Sequence, residues 1–236
     1  MNRKNAAECK PVFLLAGGRR SVTRRGPDPL IQEVLRSSSI VKPSIAYIGA
    51  ASGDNPIFRT MLTGMLRKAG AGEVRPAPLC SSRSNQQKSM RVIEDCPIVF
   101  MSGGDVEEGM RILAEKDMIE FLQDQYQQGK LFVGASAGSI MLSKGWVRWR
   151  DPEDDSSAEI FPCIGIAPVY CDTHDEDDWE ELQALARLAP VGSVLYGIPS
   201  GAALASHPDG SDRALGGEVR RFLRKDRRVV RLENLV

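Results

Sequence analysis

Leu131-Phe132-Val133-Gly134-Ala135-Ser136-Ala137-Gly138-Ser139-Ile140 is the stretch on which the reading of this chain turns. An apolar run ends at Gly134 in the manner of a buried strand, and a helix can begin at Ala137, which leaves Ser136 at the corner. This is Gly-x-Ser-x-Gly in a strand–turn–helix context, the pattern of a nucleophile elbow. The requirement is steric: a corner residue held in a strained backbone conformation needs neighbours with almost no side chain, and Gly134, Ala135, Ala137, Gly138 and Ser139 meet it. A helix start also turns unpaired N–H groups toward the serine and toward any oxyanion formed there. The same pattern also suits a glycine-rich turn that cradles an anion or binds nothing.

Working outward, apolar runs without alternation fall at 12–16, 44–50, 74–78, 98–102 and 131–134, and read as strands. Helical patterns lie between them at 29–36, 56–69, 85–93 and 106–128. In the second of these, Ile57, Met61, Leu62, Met65, Leu66 and Ala69 recur at three- and four-residue steps and form one apolar stripe. Unalternating strands separated by helices predict a mainly parallel sheet covered on both faces, an α/β three-layer sandwich. Gly17-Gly18, Gly103-Gly104 and Gly134 follow three of the strands, at the edge where open α/β sheets bind ligands. Beyond Gly145 the pattern is less regular: an acidic loop or short hairpin over 145–159, a strand within 165–171, a helix over 175–188, and strands at 194–198, 202–206, 218–223 and 229–232. Without repeats or a linker, residues 11–236 read as one domain preceded by a polar tail, 1–10.

Composition narrows the function. The 31 Lys and Arg balance 31 Asp and Glu over 236 residues, which argues against a protein that works by neutralising nucleic-acid phosphates. No apolar run reaches the ~18 residues of a membrane span. Five cysteines with no CxxC pair and two histidines assemble no familiar zinc set, so no metal is expected, and free thiols in a reducing cytoplasm are. A serine nucleophile needs a base, and only His174 and His207 are available. His207 sits in the turn Ser206-His207-Pro208-Asp209-Gly210, whereas His174 stands between a strand end and a helix start, which favours it. Asp151, Glu153, Asp154, Asp155 and Asp172 are all near enough in sequence to orient the imidazole, and local reasoning does not choose among them. In α/β-hydrolases the acid comes several strands after the serine, whereas all these candidates lie within 38 residues of it, so a different scaffold is needed.

Taken together, the motifs resemble those of the peptidase E and cyanophycinase family of serine peptidases, whose fold is similar to class I glutamine amidotransferases. Leu15-Ala16-Gly17-Gly18, Ile48-Gly49-Ala50-Ala51-Ser52, Val99 to Asp105 with its Ser-Gly-Gly-Asp ending, and Gly134 to Gly138 carry the likeness, with Tyr196 to Leu204 as a late strand–turn–strand. The resemblance implies Ser136 as nucleophile, His174 as general base and Asp151, 15 residues after the serine, as the acidic member. It further implies Gly104 and Ala137 as the oxyanion hole, and it makes Gly103, Asp105 and Asp178 candidates for substrate contact. No cofactor is implied. Aspartyl dipeptidases of the family carry arginines after the histidine, where this chain reads Asp175-Glu176-Asp177-Asp178-Trp179-Glu180-Glu181, so a neutral or cationic substrate fits better than an aspartyl one. The expectation is a cytoplasmic serine peptidase of the dipeptidase type acting on short peptides. A cyanophycinase-like exopeptidase for β-aspartyl-arginine units and a non-catalytic binding protein of the same fold stand as alternatives, and a homodimer is left open.

Overall fold

The computed structural model describes residues 9–17, 26–81, 84–174 and 178–236. The first eight residues of the expected polar tail, and residues 175–177 of the expected acidic helix start, lie outside the described residues.

The main sheet has seven strands in the order β11-β10-β1-β5-β4-β2-β3. Five of them are parallel to one another: β1 (Val12–Leu15), β2 (Ile45–Ile48), β3 (Val74–Pro76), β4 (Ile98–Met101) and β5 (Leu131–Ala135). Two antiparallel strands, β10 (Ala203–Ser206) and β11 (Arg213–Leu215), close one edge.

The unalternating strands are explained by where their side chains go. Successive residues point to opposite faces, and here both faces are dry. Leu14, Ile48, Val99, Met101 and Phe132 pack on one side with residues of α4 (Val106–Glu115), α5 (Met118–Gln127) and α6 (Ala137–Leu142). Leu15, Tyr47, Ile98, Phe100 and Val133 pack on the other with α1 (Pro29–Arg36) and α2 (Pro56–Ala69). A further helix, α3 (Gln86–Asp95), contributes Ile93 to the first of these clusters. The result is the expected helix–sheet–helix sandwich.

The helix ends follow local chemistry. Asp28 and Asn55 cap α1 and α2 through side-chain oxygens, each followed by proline at the first helical position, and α2 stops at Gly70 with φ 115°. The expected single helix over 106–128 is two helices instead, because Asp117 takes a left-handed conformation between them (φ 50°).

The second half builds a smaller unit against the main sheet. The acidic stretch is a hairpin of β6 (Gly145–Trp149) and β7 (Ala158–Pro162). A four-stranded sheet, β13-β12-β9-β8, joins β8 (Tyr170–Thr173), β9 (Val194–Ile198), β12 (Arg220–Lys225) and β13 (Arg228–Arg231). The strand expected within 165–171 starts only at Tyr170, and Gly165 ahead of it has a left-handed φ of 73° that a strand does not use. One helix, α7 (Glu180–Leu188), covers this unit through Leu182, Leu185 and Ala186.

Candidate active site

Ser136 occupies the corner between β5 and α6 with φ 53° and ψ −125°, a conformation that ordinary side chains avoid. The surrounding packing imposes it. A Cβ on Gly134 would stand 2.6 Å from the Gly138 backbone, and one on Gly138 would stand 2.2 Å from the Met101 carbonyl oxygen. The Ser136 N–H donates to the Leu15 carbonyl at 2.8 Å and the Ser139 hydroxyl donates to the same carbonyl at 2.8 Å, pinning both sides of the corner to β1.

His174 follows directly on β8 and reaches the serine across the two sheets. Its N–H donates to the Ile198 carbonyl at the end of β9. From there the chain passes into the main sheet through Gly201, whose N–H donates to Gly17 O, and Ala202, whose carbonyl accepts from Ala16 N–H. The end of β1 therefore holds both the serine corner and the segment that carries the histidine. Across that junction Ser136 Oγ and His174 Nε2 are 2.7 Å apart. His174 itself has φ 88° and is exposed, and Ser136 is half-buried.

The turn after β4 stands against the serine. A Cβ on Gly103 would come within 2.9 Å of Ser136 Cβ and 3.4 Å of its Oγ, and Gly104, at φ 147°, lies so close to Ala51 that a Cβ there would meet its carbonyl oxygen at 1.9 Å. Neither Gly104 nor Ala137 donates its N–H to a carbonyl among the described residues. Asp105 is an exposed residue whose carboxylate caps α4, accepting from Glu108 N–H at 2.8 Å, and Asp178 is exposed ahead of α7 with its carbonyl taken by Gln183.

Among the described residues no hydrogen bond joins Asp151 to the imidazole. Asp151 is exposed on the turn between β6 and β7, and its carboxylate turns back on its own loop to accept from Glu153 N–H at 3.1 Å. Its backbone is tied to the Ser157 hydroxyl as well, so its bonds are made within its own loop. Asp172 is buried and accepts from Thr173 N–H at 2.8 Å. The His174 ring bonds to the Ser136 hydroxyl, and its backbone N–H to the Ile198 carbonyl helps to position it. Accordingly, Asp151→Asn is expected to change kcat/KM for peptide hydrolysis by less than about tenfold, against the roughly 10⁴-fold cost of removing an acid that holds a triad histidine. Steady-state kinetics on the purified variant decides between them.

Three of the five cysteines are held in the thiol form, poorly suited to a nucleophile's role. Burial pushes Cys80 and Cys163 up to about 12 and raises Cys171 further, so these sulfurs stay protonated near neutral pH. Among the described residues no group of His, Cys, Asp and Glu is arranged to hold a metal ion.

Sequence reasoning missed the walls of the cleft around Ser136. This opening, about 960 Å³ in volume, is bounded by α1 and α2 as well as by Gly17, Gly103, Gly104, Ser136, His174 and Gly201. The signal was present in α2. Its apolar stripe is wider than the core requires: Leu62, Leu66 and Ala69 are buried, whereas Ile57 and Met61 are 81% and 59% exposed.

A serine hydroxyl bonded to an imidazole at the carboxyl edge of a parallel sheet, beside unengaged backbone N–H groups, is equipped for acyl transfer. The comparisons agree. The model of Peptidase family S51 matches residues 12–212, and the chain belongs to that family; it is a serine-type peptidase. Two solved structures share the fold. One is a peptidase from an acI-B1 Actinobacterium, with a TM-score of 0.72 and 16% identity over 98% of both chains. The other is a putative peptidase E from Listeria monocytogenes EGD-e, with a TM-score of 0.59 and 14% identity over 95% of this chain and 99% of that one. A curated relative of another kind, the probable cadmium/zinc-transporting ATPase HMA1, chloroplastic, of Arabidopsis thaliana, is 26% identical over 137 residues, which is 56% of this chain and 16% of that protein. The chain spans about a sixth of that transporter's length, and among the described residues no helix is long and apolar enough to cross a membrane.

Proposed function

We propose that this peptidase is dipeptidase-like, hydrolysing short peptides through an acyl-enzyme on Ser136. The observation that carries the reading is the 2.7 Å contact between Ser136 Oγ and His174 Nε2 at a strained strand-to-helix corner, a nucleophile elbow. His174 takes the hydroxyl proton as Ser136 attacks the scissile carbonyl, and the N–H groups of Gly104 and Ala137 receive the developing oxyanion. As the intermediate collapses, the imidazolium returns that proton to the leaving amine. Water, deprotonated by the same imidazole, then releases the acid product and restores the hydroxyl.

Catalysis on this reading rests on the Ser136–His174 pair. The test is a dipeptide library incubated with the purified protein and read as newly released α-amine. Hydrolysis of a subset is expected; tight peptide binding with no amine released would favour a binding protein instead.

A further inference from the structure

The cleft beside Ser136 has a chemical bias. Leu30 enters it from α1, Phe58, Met61 and Met65 from α2, and Phe100 from β4. Met61 is 59% exposed, and Phe58 and Met65 are half-buried, packing on the core while also presenting apolar surface to the opening. A contiguous apolar wall in a concave opening is surface that a ligand covers. The opening is continuous with the serine, since Gly103, Ser136 and His174 bound the same space.

The charged groups point the same way. Besides His174, the ionisable side chains that line the cleft among the described residues are two carboxylates, Asp28 and Glu33. Asp28 spends its oxygen on the Leu30 and Ile31 N–H groups at the start of α1, and Glu33 stands 3.7 Å from Arg213. No lysine or arginine lines the cleft among those residues, so an acidic side chain placed beside Asp28 or Glu33 meets like charge.

We infer that the substrate residue adjoining the scissile bond is large and apolar, of the leucine, methionine or phenylalanine kind. This rests on Ser136 being the nucleophile. Methionines in the wall, unbranched and adaptable, suit several apolar shapes rather than one.

The test is two dipeptide series, Xaa-Ala and Ala-Xaa, with Xaa as Phe, Leu, Ala or Asp, on wild type and on Met61→Asp. In one of the two series Phe or Leu is expected to exceed Ala by about tenfold or more in kcat/KM, with Asp below Phe and Leu. Met61→Asp, a change at an exposed position, is expected to shrink the Phe-to-Ala ratio several-fold. Diphenyl aminoalkylphosphonates carrying benzyl or carboxymethyl side chains give a second readout as rates of Ser136 modification, with benzyl expected to be the faster. Preference for Asp, equal rates with all side chains, or an unchanged ratio in Met61→Asp overturns the inference while Ser136 remains the nucleophile. Failure of every phosphonate to modify Ser136, with no dipeptide cleaved, overturns the reading beneath it.

Discussion

Ser136→Ala is expected to lower kcat for peptide hydrolysis by about 10⁴-fold or more while leaving the fold unchanged. The hydroxyl is the group that would form the acyl bond, and its hydrogen bond in the structure is to His174. Its removal breaks no contact on which the corner depends, because the corner is pinned by the Ser136 N–H and the Ser139 hydroxyl, both on Leu15 O. Residual turnover would reflect substrate binding and the oxyanion N–H groups alone. A companion variant separates chemistry from stability. Glycine tolerates φ 53° and ψ −125° without the strain a Cβ brings there, so Ser136→Gly is expected to be equally inactive yet more stable, by about 1–3 kcal/mol. Strain concentrated at this residue would then be directly visible as a raised melting temperature in a dead enzyme. Activity within tenfold of wild type in Ser136→Ala, or a lower melting temperature in Ser136→Gly, would contradict the account.

Gly138→Ala carries the second large effect, with a sign opposite to helix propensity. Gly138 lies within α6, where alanine is ordinarily favoured by about 1 kcal/mol. Here the added methyl would stand 2.2 Å from the Met101 carbonyl oxygen and 2.9 Å from that of Ser102, both main-chain atoms at the end of β4. Neither can swing aside as a side chain would. The helix must back away from the sheet, and overpacking of this kind typically costs about 1–3 kcal/mol. The displacement also shifts Ala137 and Ser136 relative to Gly103 and Gly104, so activity should fall by more than stability alone explains. Chemical denaturation and kcat measured on the same preparation check both parts; a neutral or stabilising Gly138→Ala would show that the corner is looser than its contacts imply.

Much of this was readable in the residues. Leu14, Val99 and Phe132 announce strands because each strand is buried on both faces, which removes alternation from the sequence. Asn55-Pro56 and Gly70 mark the ends of α2 by chemistry local to those residues. The corner at Ser136 was readable because its glycines leave few other uses, and His174 because the chain has two histidines.

What could not be read depends on contacts distant in the chain. The break between α4 and α5 falls at Asp117, with neither glycine nor proline to signal it. The edge strand Arg213–Leu215, three residues long, has too little pattern to register. Asp151 lies at the family's spacing from Ser136, but spacing along a chain does not fix which way a turn directs its carboxylate, and this one serves its own loop. The α2 stripe divides, with Leu66 and Ala69 in the core and Met61 and Met65 at the cleft, a division set by how α1 and α2 lie over the sheet.

The measurement that bears most directly on all of this is covalent capture. The protein is treated with a fluorophosphonate near neutral pH and digested, and the modified residue is located by mass spectrometry. A single adduct on the peptide carrying Ser136, abolished in Ser136→Ala and strongly slowed in His174→Ala, is the predicted result. An adduct on a cysteine or on another serine, or labelling of Ser136 at an undiminished rate without His174, would contradict it.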